Sequence, residues 1–338
     1  MTSPADAHGS GVSAATHYRT ATIDGLNIFY REAGPKDAPV VLLLHGFPSS
    51  SHMFRNLIPQ LADAYHVIAP DYPAFGHSDT PDRAQFTYSF DHIAEVIDDL
   101  LDALGVRRFA PYMMDIGAAI GFRLAVKHPD AVWAIVAQNG PLYGEDGGEQ
   151  FFATMAGFWR DGSDEHRNAI RGFVTRESTR AQYLVGVADP SLVDPDNWLV
   201  DQALLDRPGV DEIMLDILYE IRNRPSTIDG VLEFLRAHQP PALIATGAKD
   251  ALFPEANMRH YLDDLPDAEF HALDTGHFAL EDKGDEIAAL MLDFLERVLG
   301  KELGEELGRT VEAIEARNDG SRTEERKFRT HAPAGQPR

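Results

Sequence analysis

The stretch FAPYMMDIG, residues 109–117, decides how the chain is read. Six mostly apolar residues, Phe109–Met114, end at Asp115, and the helical pattern of Gly117–His128 begins almost at once. A run that short reads as a buried strand, and the abrupt change of period makes the unit a strand, a tight turn and a helix. Outward from it, PVVLLL at 39–44, HVIA at 66–69, WAIVA at 133–137 and ALIAT at 242–246 are runs of the same kind. Each is closed by loop chemistry, such as His45-Gly46 or Gln138-Asn139-Gly140. Between them, Phe90–Leu104 places Ile93, Val96, Ile97, Leu100, Leu101 and Leu104 at helical spacing, and Glu286–Leu299 repeats the pattern. Strands alternating with helices of this length predict an α/β fold with a mostly parallel central sheet and helices on both faces.

Residues 141–240 break that rhythm. They are helix-like throughout, carry Trp159, Trp198, Tyr143, Tyr183 and Tyr219, and contain no clear strand. The expected organisation is a core of 17–140 and 241–300 with a helical cap, 141–240, inserted between its halves. Residues 1–16 are small and polar and read as a flexible N-terminus, without the features of a signal peptide or a membrane span. A cytoplasmic location is expected on that ground. Residues 301–338 are rich in Glu and Arg and read as a charged C-terminal tail.

Charge and composition exclude several functions. The 338 residues hold 30 basic and 54 acidic side chains, a net charge of -24, and the tail is neutral, so the excess lies in residues 1–300. Such a body repels phosphate backbones and anionic lipid surfaces, so neither nucleic acid nor membrane is an expected partner. With no cysteine there is no thiol nucleophile, disulfide or thiolate metal site. No metal and no cofactor are implied, and a small, mostly apolar, neutral substrate is the expected partner. Monomer and homodimer fit the sequence equally.

In open parallel sheets ligands collect at the carboxyl ends of the strands, so the residues that close each apolar run are the candidates. Asp115, Asp250 in GAKD (247–250) and His277 in DTGHF (274–278) stand in the order nucleophile, acid, histidine. Taken alone, Asp115 reads as a helix N-cap carboxylate; its neighbours change that. HGFP at 45–48, DYPAFGHSD at 71–79, MMDIG at 113–117 and DTGHF at 274–278 together resemble the motifs of the α/β-hydrolase fold superfamily, over residues 20–300. The similarity is to its epoxide hydrolase and haloalkane dehalogenase branch, whose nucleophile is an aspartate. The resemblance implies an oxyanion motif at 45–48, often with a cis proline, and a nucleophile elbow at 113–117. Three positions depart from the pattern. Ala74 and Met113 stand where glycine and a small residue are usual, so the elbow requires repacking. Ile116 stands where many relatives carry a halide-binding Trp.

An aspartate nucleophile narrows the chemistry. A carboxylate attacks an electrophilic sp³ carbon, and the product is an ester on Asp115 itself. Water activated by His277, which Asp250 orients, would attack that ester, with the backbone N–H groups of Phe47 and Ile116 as oxyanion donors. The leaving group separates the alternatives. An epoxide oxygen needs a proton donor, for which the cap tyrosines Tyr183 and Tyr219 are the expected candidates. A halide needs N–H donors, for which Trp159 and Trp198 remain. Epoxide hydrolysis is the leading expectation and haloalkane dehalogenation the alternative. Another hydrolytic or lyase activity and a non-catalytic small-ligand-binding protein on the same scaffold complete the set.

Overall fold

The computed structural model describes residues 15–142 and 149–329. Among them eight strands form one sheet: β1 His17–Ile23, β2 Leu26–Ala33, β3 Val40–Leu44, β4 His66–Pro70, β5 Phe109–Met114, β6 Ile135–Gln138, β7 Ala242–Gly247 and β8 Glu269–Leu273. Their spatial order is β1-β2-β4-β3-β5-β6-β7-β8. Strands β3 to β8 pair in parallel, and β2 runs antiparallel to both β1 and β4. Helices α1 Ile58–Leu61, α2 Phe90–Ala103 and α3 Ile116–Lys127 belong to the first half. Helices α4 Glu149–Asp161, α5 Asp164–Ala169, α6 Arg176–Leu184, α7 Pro195–Leu205, α8 Val210–Glu220 and α9 Arg224–His238 lie between β6 and β7, with no strand among the described residues there. Helices α10 Glu255–Arg259, α11 Tyr261–Asp264 and α12 Leu280–Arg329 complete the series. The residues through Met291 form one compact unit, and a second begins at Leu292 within α12. No described helix is long and apolar enough to cross a membrane. Residues 1–14, Tyr143 and 330–338 lie outside the described residues.

Every residue of β4, β5, β6 and β7 is buried, which is why these strands read as unbroken apolar runs. Strands β1 and β8 are the sheet edges and leave most of their residues exposed or half-buried, so their sequences mix polar with apolar residues and carry no such signal. Strand β2 buries Arg31 and Glu32 on partners: Arg31 Nε donates to Ser51 Oγ at 3.0 Å, and His66 Nε2 lies 2.9 Å from Glu32.

Strand β5 lies inside the sheet, between β3 and β6, and delivers Asp115 at its carboxyl end directly into α3. The turn is sharp: Asp115 has φ 51° and ψ -119°, a left-handed backbone that L-residues adopt only under constraint. Such a turn brings helix and strands close together. A Cβ on Gly117 would collide with the Leu44 carbonyl. Buried Met113, the oversized elbow residue, finds room one turn further along α3, where a Cβ on Gly121 would lie 2.7 Å from Met113 Cγ and nearer still to its sulfur. The repacking is therefore a Met113–Gly121 exchange of volume. Ala74 also adopts a left-handed conformation, with φ 70°, where glycine would be unstrained.

Gly121→Ala is expected to destabilise the fold by about 1–3 kcal/mol through overpacking. Combined with Met113→Ala it should cost clearly less than the two single changes added together. Urea unfolding midpoints of the three variants test this, and simple additivity would contradict the packing.

Candidate active site

The loops at the carboxyl ends of β3, β5, β6, β7 and β8 meet around Asp115. From the β3 loop, the peptide between Phe47 and Pro48 is cis, and Phe47 N–H donates to Asp115 Oδ1 at 2.7 Å. The Ile116 N–H, at the start of α3, also donates to this carboxylate. Both expected oxyanion donors therefore sit on the carboxylate of the expected nucleophile. His45 does not join them. Fully buried and stacked on Tyr72 at 3.9 Å, it accepts from the Tyr72 N–H and contacts Gly46 O, and burial holds its pKa down at about 4. It shapes the loop as a neutral ring. Asp71 braces the same region, its two oxygens accepting from the Ser51 and His77 N–H groups at 2.7 and 2.8 Å, while Ser78 Oγ donates to its carbonyl.

His277 follows β8, and its Nδ1 lies 2.7 Å from Asp250 Oδ2. Asp250 is buried and well supplied with donors, with Leu252 N–H on Oδ1 at 2.7 Å and Asn139 Nδ2 on Oδ2 at 2.8 Å. The other His277 nitrogen, Nε2, is buried without a hydrogen-bond partner among the described residues. Burial disfavours the imidazolium, but Asp250, which also accepts its hydrogen bond, and Asp115 outweigh this and raise the His277 pKa. Asp115 is half-buried at the cavity, and desolvation raises its pKa against the opposing pull of His277 and the two N–H donors. Asp115, Asp250 and His277 thus share one electrostatic environment.

Asn139 is a strand-end residue to which sequence reading assigns no role. It closes β6, adopts φ 46°, accepts the Gly247 N–H at 2.9 Å and donates to Asp250, tying the acid's loop to the sheet. Gln138 beside it donates to the His277 carbonyl at 2.9 Å. The signal available was the polar pair Gln138-Asn139 at the end of a buried strand.

A cavity of about 400 Å³ opens at Asp115. One wall is a single face of α3: Asp115 and Ile116, then Ala119, Phe122 and Val126, three or four residues apart. Ile228 and Val231 of α9 line it opposite, and Phe90, Leu142 and Phe253 also contribute. Twelve residues of helical rise, Asp115 to Lys127, make this wall about 18 Å long. Its cations are paired, Arg123 with Asp91 at 2.5 Å and Lys127 with Asp98 at 2.7 Å.

None of the four expected insertion residues is among the described residues lining this cavity. The Tyr183 hydroxyl donates to Asp201 instead. Tyr219 packs against Phe158 at 4.7 Å and under the Arg222 guanidinium at 3.6 Å. Trp159 Nε1 donates to the Leu218 carbonyl at 2.9 Å, and Trp198 lies beside Tyr183, ring centres 6.1 Å apart. Aromatic residues serve packing more readily than catalysis, and each of these four makes packing contacts away from the cavity.

Similarity to known proteins agrees with this geometry. The alpha/beta hydrolase fold profile matches residues 39–161. An uncharacterized hydrolase of Saccharomyces cerevisiae is 39% identical over 270 residues, 79% of this chain and 92% of that protein. A cis-3-alkyl-4-alkyloxetan-2-one decarboxylase of Xanthomonas campestris is 30% identical, covering 81% of this chain and 93% of its own length. A haloalkane dehalogenase of Bradyrhizobium diazoefficiens is 43% identical over 114 residues, 34% of this chain and 36% of that protein. With its parallel sheet, its elbow at Asp115 and these relatives, the chain belongs to the α/β-hydrolase fold family.

Proposed function

We propose that the chain is an aspartate-nucleophile hydrolase that opens an epoxide to a diol through an ester on Asp115. The observation that carries this reading is the pair of backbone donors, Phe47 and Ile116, aimed at the Asp115 carboxylate. With a serine nucleophile such donors serve the substrate's carbonyl oxygen. Here they rest on the protein's own carboxyl group, which suits a reaction in which that oxygen becomes the oxyanion.

The carboxylate oxygen not held by Phe47 attacks an epoxide carbon. The C–O bond of the ring breaks, and its oxygen takes a proton from the solvent side. His277 Nε2, buried and unpartnered, then takes a proton from water as hydroxide adds to the Asp115 carbonyl carbon. Phe47 and Ile116 stabilise the tetrahedral oxyanion. On collapse the diol oxygen leaves with the proton from His277, and Asp115 returns to its carboxylate by releasing one proton. Asp250 holds the imidazole and balances its charge. Esterification has a further effect: it removes the Asp115 charge, one of those that raise the His277 pKa, so the ring becomes a base when one is needed.

The helices between β6 and β7 serve as the cap, with α9 forming one wall of the cavity. The apolar face of α3 suits a neutral substrate with an alkyl arm lying along the helix, and the paired state of Arg123 and Lys127 fits a substrate without charge. A strained ring bearing alkyl arms is also what the name of the Xanthomonas relative describes. Dehalogenation of a haloalkane by the same covalent route is the second reading, favoured by the Bradyrhizobium relative. It ranks second because the side chains of Phe47 and Ile116 carry no N–H to offer a halide and the Trp159 N–H is taken by Leu218.

His277→Gln should slow ester hydrolysis by about a hundredfold or more. Mixed with a terminal alkyl epoxide, this variant should accumulate a species heavier by the whole mass of the epoxide, while Asp115→Asn gains nothing. A bromoalkane ester would instead add the bromoalkane less HBr. Intact-protein mass spectrometry separates these outcomes, and no adduct with any epoxide or bromoalkane overturns the covalent route. Neutral His277 is the active form, so the rate of ester hydrolysis should rise with pH through the His277 pKa, which in the ester lies below that of the free enzyme because the Asp115 charge is gone. A rate that falls across that range contradicts the assigned role.

A further inference from the structure

Tyr183 and Asp201 are buried polar residues that the chemistry above does not use. They belong to α6 and α7, and each reaches a different catalytic loop. Ser49 Oγ donates to Asp201 Oδ1 at 3.3 Å, and Ser49 lies two residues beyond the oxyanion donor Phe47. The Ser49 N–H closes the same turn on the Gly46 carbonyl at 3.0 Å. The Tyr183 ring stacks on Phe278, the residue after His277, with centres 4.0 Å apart and planes 8° from parallel. Phe278 in turn meets the His277 ring edge-on at 5.3 Å. The hydrogen bond from Tyr183 to Asp201 closes the path between the two loops.

The rest of this seam is built in the same way. Asn197 stands one helical turn before Asp201 on α7, contacts His52 Nε2 at 3.3 Å and donates to Glu281 at 2.5 Å. Glu281 also takes a two-pronged pair from Arg55. At the end of α6, a Cβ on Gly186 would lie 2.5 Å from the Lys249 carbonyl and 2.8 Å from Gly276 Cα, beside the loops of Asp250 and His277. A surface helix that buries Asn197 and Asp201 on its inner face, with Gln202 turned to Thr179 of α6, is fitted to a polar partner beyond the insertion. That partner is the catalytic loops.

We propose that Tyr183 and Asp201 form a positioning pair that fixes the oxyanion loop and the histidine loop relative to each other through the helical insertion. Neither residue touches the reacting atoms. Burial raises the Asp201 carboxyl to about 7, against the hydroxyls of Tyr183 and Ser49, with Glu281 raising and Arg55 lowering it. The site therefore tolerates an uncharged group, and an asparagine there keeps an acceptor for Tyr183 and a donor for Ser49. The Tyr183 phenol stays protonated, its pKa raised by burial and by Asp201 and Glu281.

Amide hydrogen exchange of the full chain tests the pair without requiring turnover. Tyr183→Phe keeps the stacking and loses the hydrogen bond; Asp201→Ala loses both hydroxyl contacts. Both should speed exchange about tenfold in residues 46–52 and 274–280 while β3 to β7 remain protected, and Asp201→Asn should restore most of the protection. Unchanged exchange in those loops, or an increase spread evenly through the sheet, overturns the pairing. The kinetic consequence rests on the epoxide reading: with an epoxide that turns over, kcat should fall about tenfold in Asp201→Ala or Tyr183→Phe at nearly constant KM. Wild-type kcat in both folded variants overturns the pair's effect on catalysis. If the unmodified protein turns over no epoxide, that reading fails while the exchange result still decides the coupling.

Discussion

Drawing a carboxylate partly out of water while keeping its charge is the constraint on which this structure depends. Desolvation works against the charge on Asp115, and a lone carboxylate held away from water would simply bind a proton. Three features oppose that here: the N–H groups of Phe47 and Ile116, and the charge that His277 carries when protonated. The two N–H groups are in place because β5 turns into α3 through a left-handed residue and because the turn after β3 folds back beneath it. The small residues around the elbow follow from the same requirement, since Gly117 and Gly121 let α3 approach closely enough for the turn to form.

The elements that hold this carboxylate are also the ones most legible in the sequence. Buried parallel strands are apolar on both faces, so β3 to β7 appear as short runs, and the residue after each run marks the catalytic edge. Asp115 and Asp250 were picked as candidates that way and His277 from its DTGHF motif, with the order of the motifs removing the N-cap reading of Asp115. Edge strands were not legible, because β1 and β8 place much of their surface in solvent. Nor was the function of the insertion's aromatic residues. A tyrosine between two helices looks the same in sequence whether its hydroxyl meets a substrate or another side chain, and the Tyr183 partner, Asp201, is eighteen residues away on another helix. Asn139 was hidden for a related reason, since its value lies in Asp250, which is 111 residues further on.

The net charge of -24 takes on a more specific meaning beside the cavity. Asp91 and Asp98 spend part of that excess on Arg123 and Lys127, the two cations in the cavity wall, leaving an apolar channel without free positive charge among its described residues. A neutral substrate with an alkyl arm meets no electrostatic penalty there. The charge that matters for chemistry is confined to the far end, on Asp115, Asp250 and His277. In the proposed reaction it changes, because ester formation would neutralise Asp115 and loosen the proton on His277.

The most direct test of the account follows oxygen. In a single turnover with a terminal alkyl epoxide in ¹⁸O water, attack on the Asp115 ester places the heavy oxygen in the Asp115 carboxylate, and the diol released in that turnover carries none. Mass spectrometry of the peptide containing Asp115 reads the first outcome, and analysis of the diol reads the second. Heavy oxygen in the diol after one turnover, with Asp115 unlabelled, would mean that water attacks the epoxide directly and would contradict the aspartate as nucleophile.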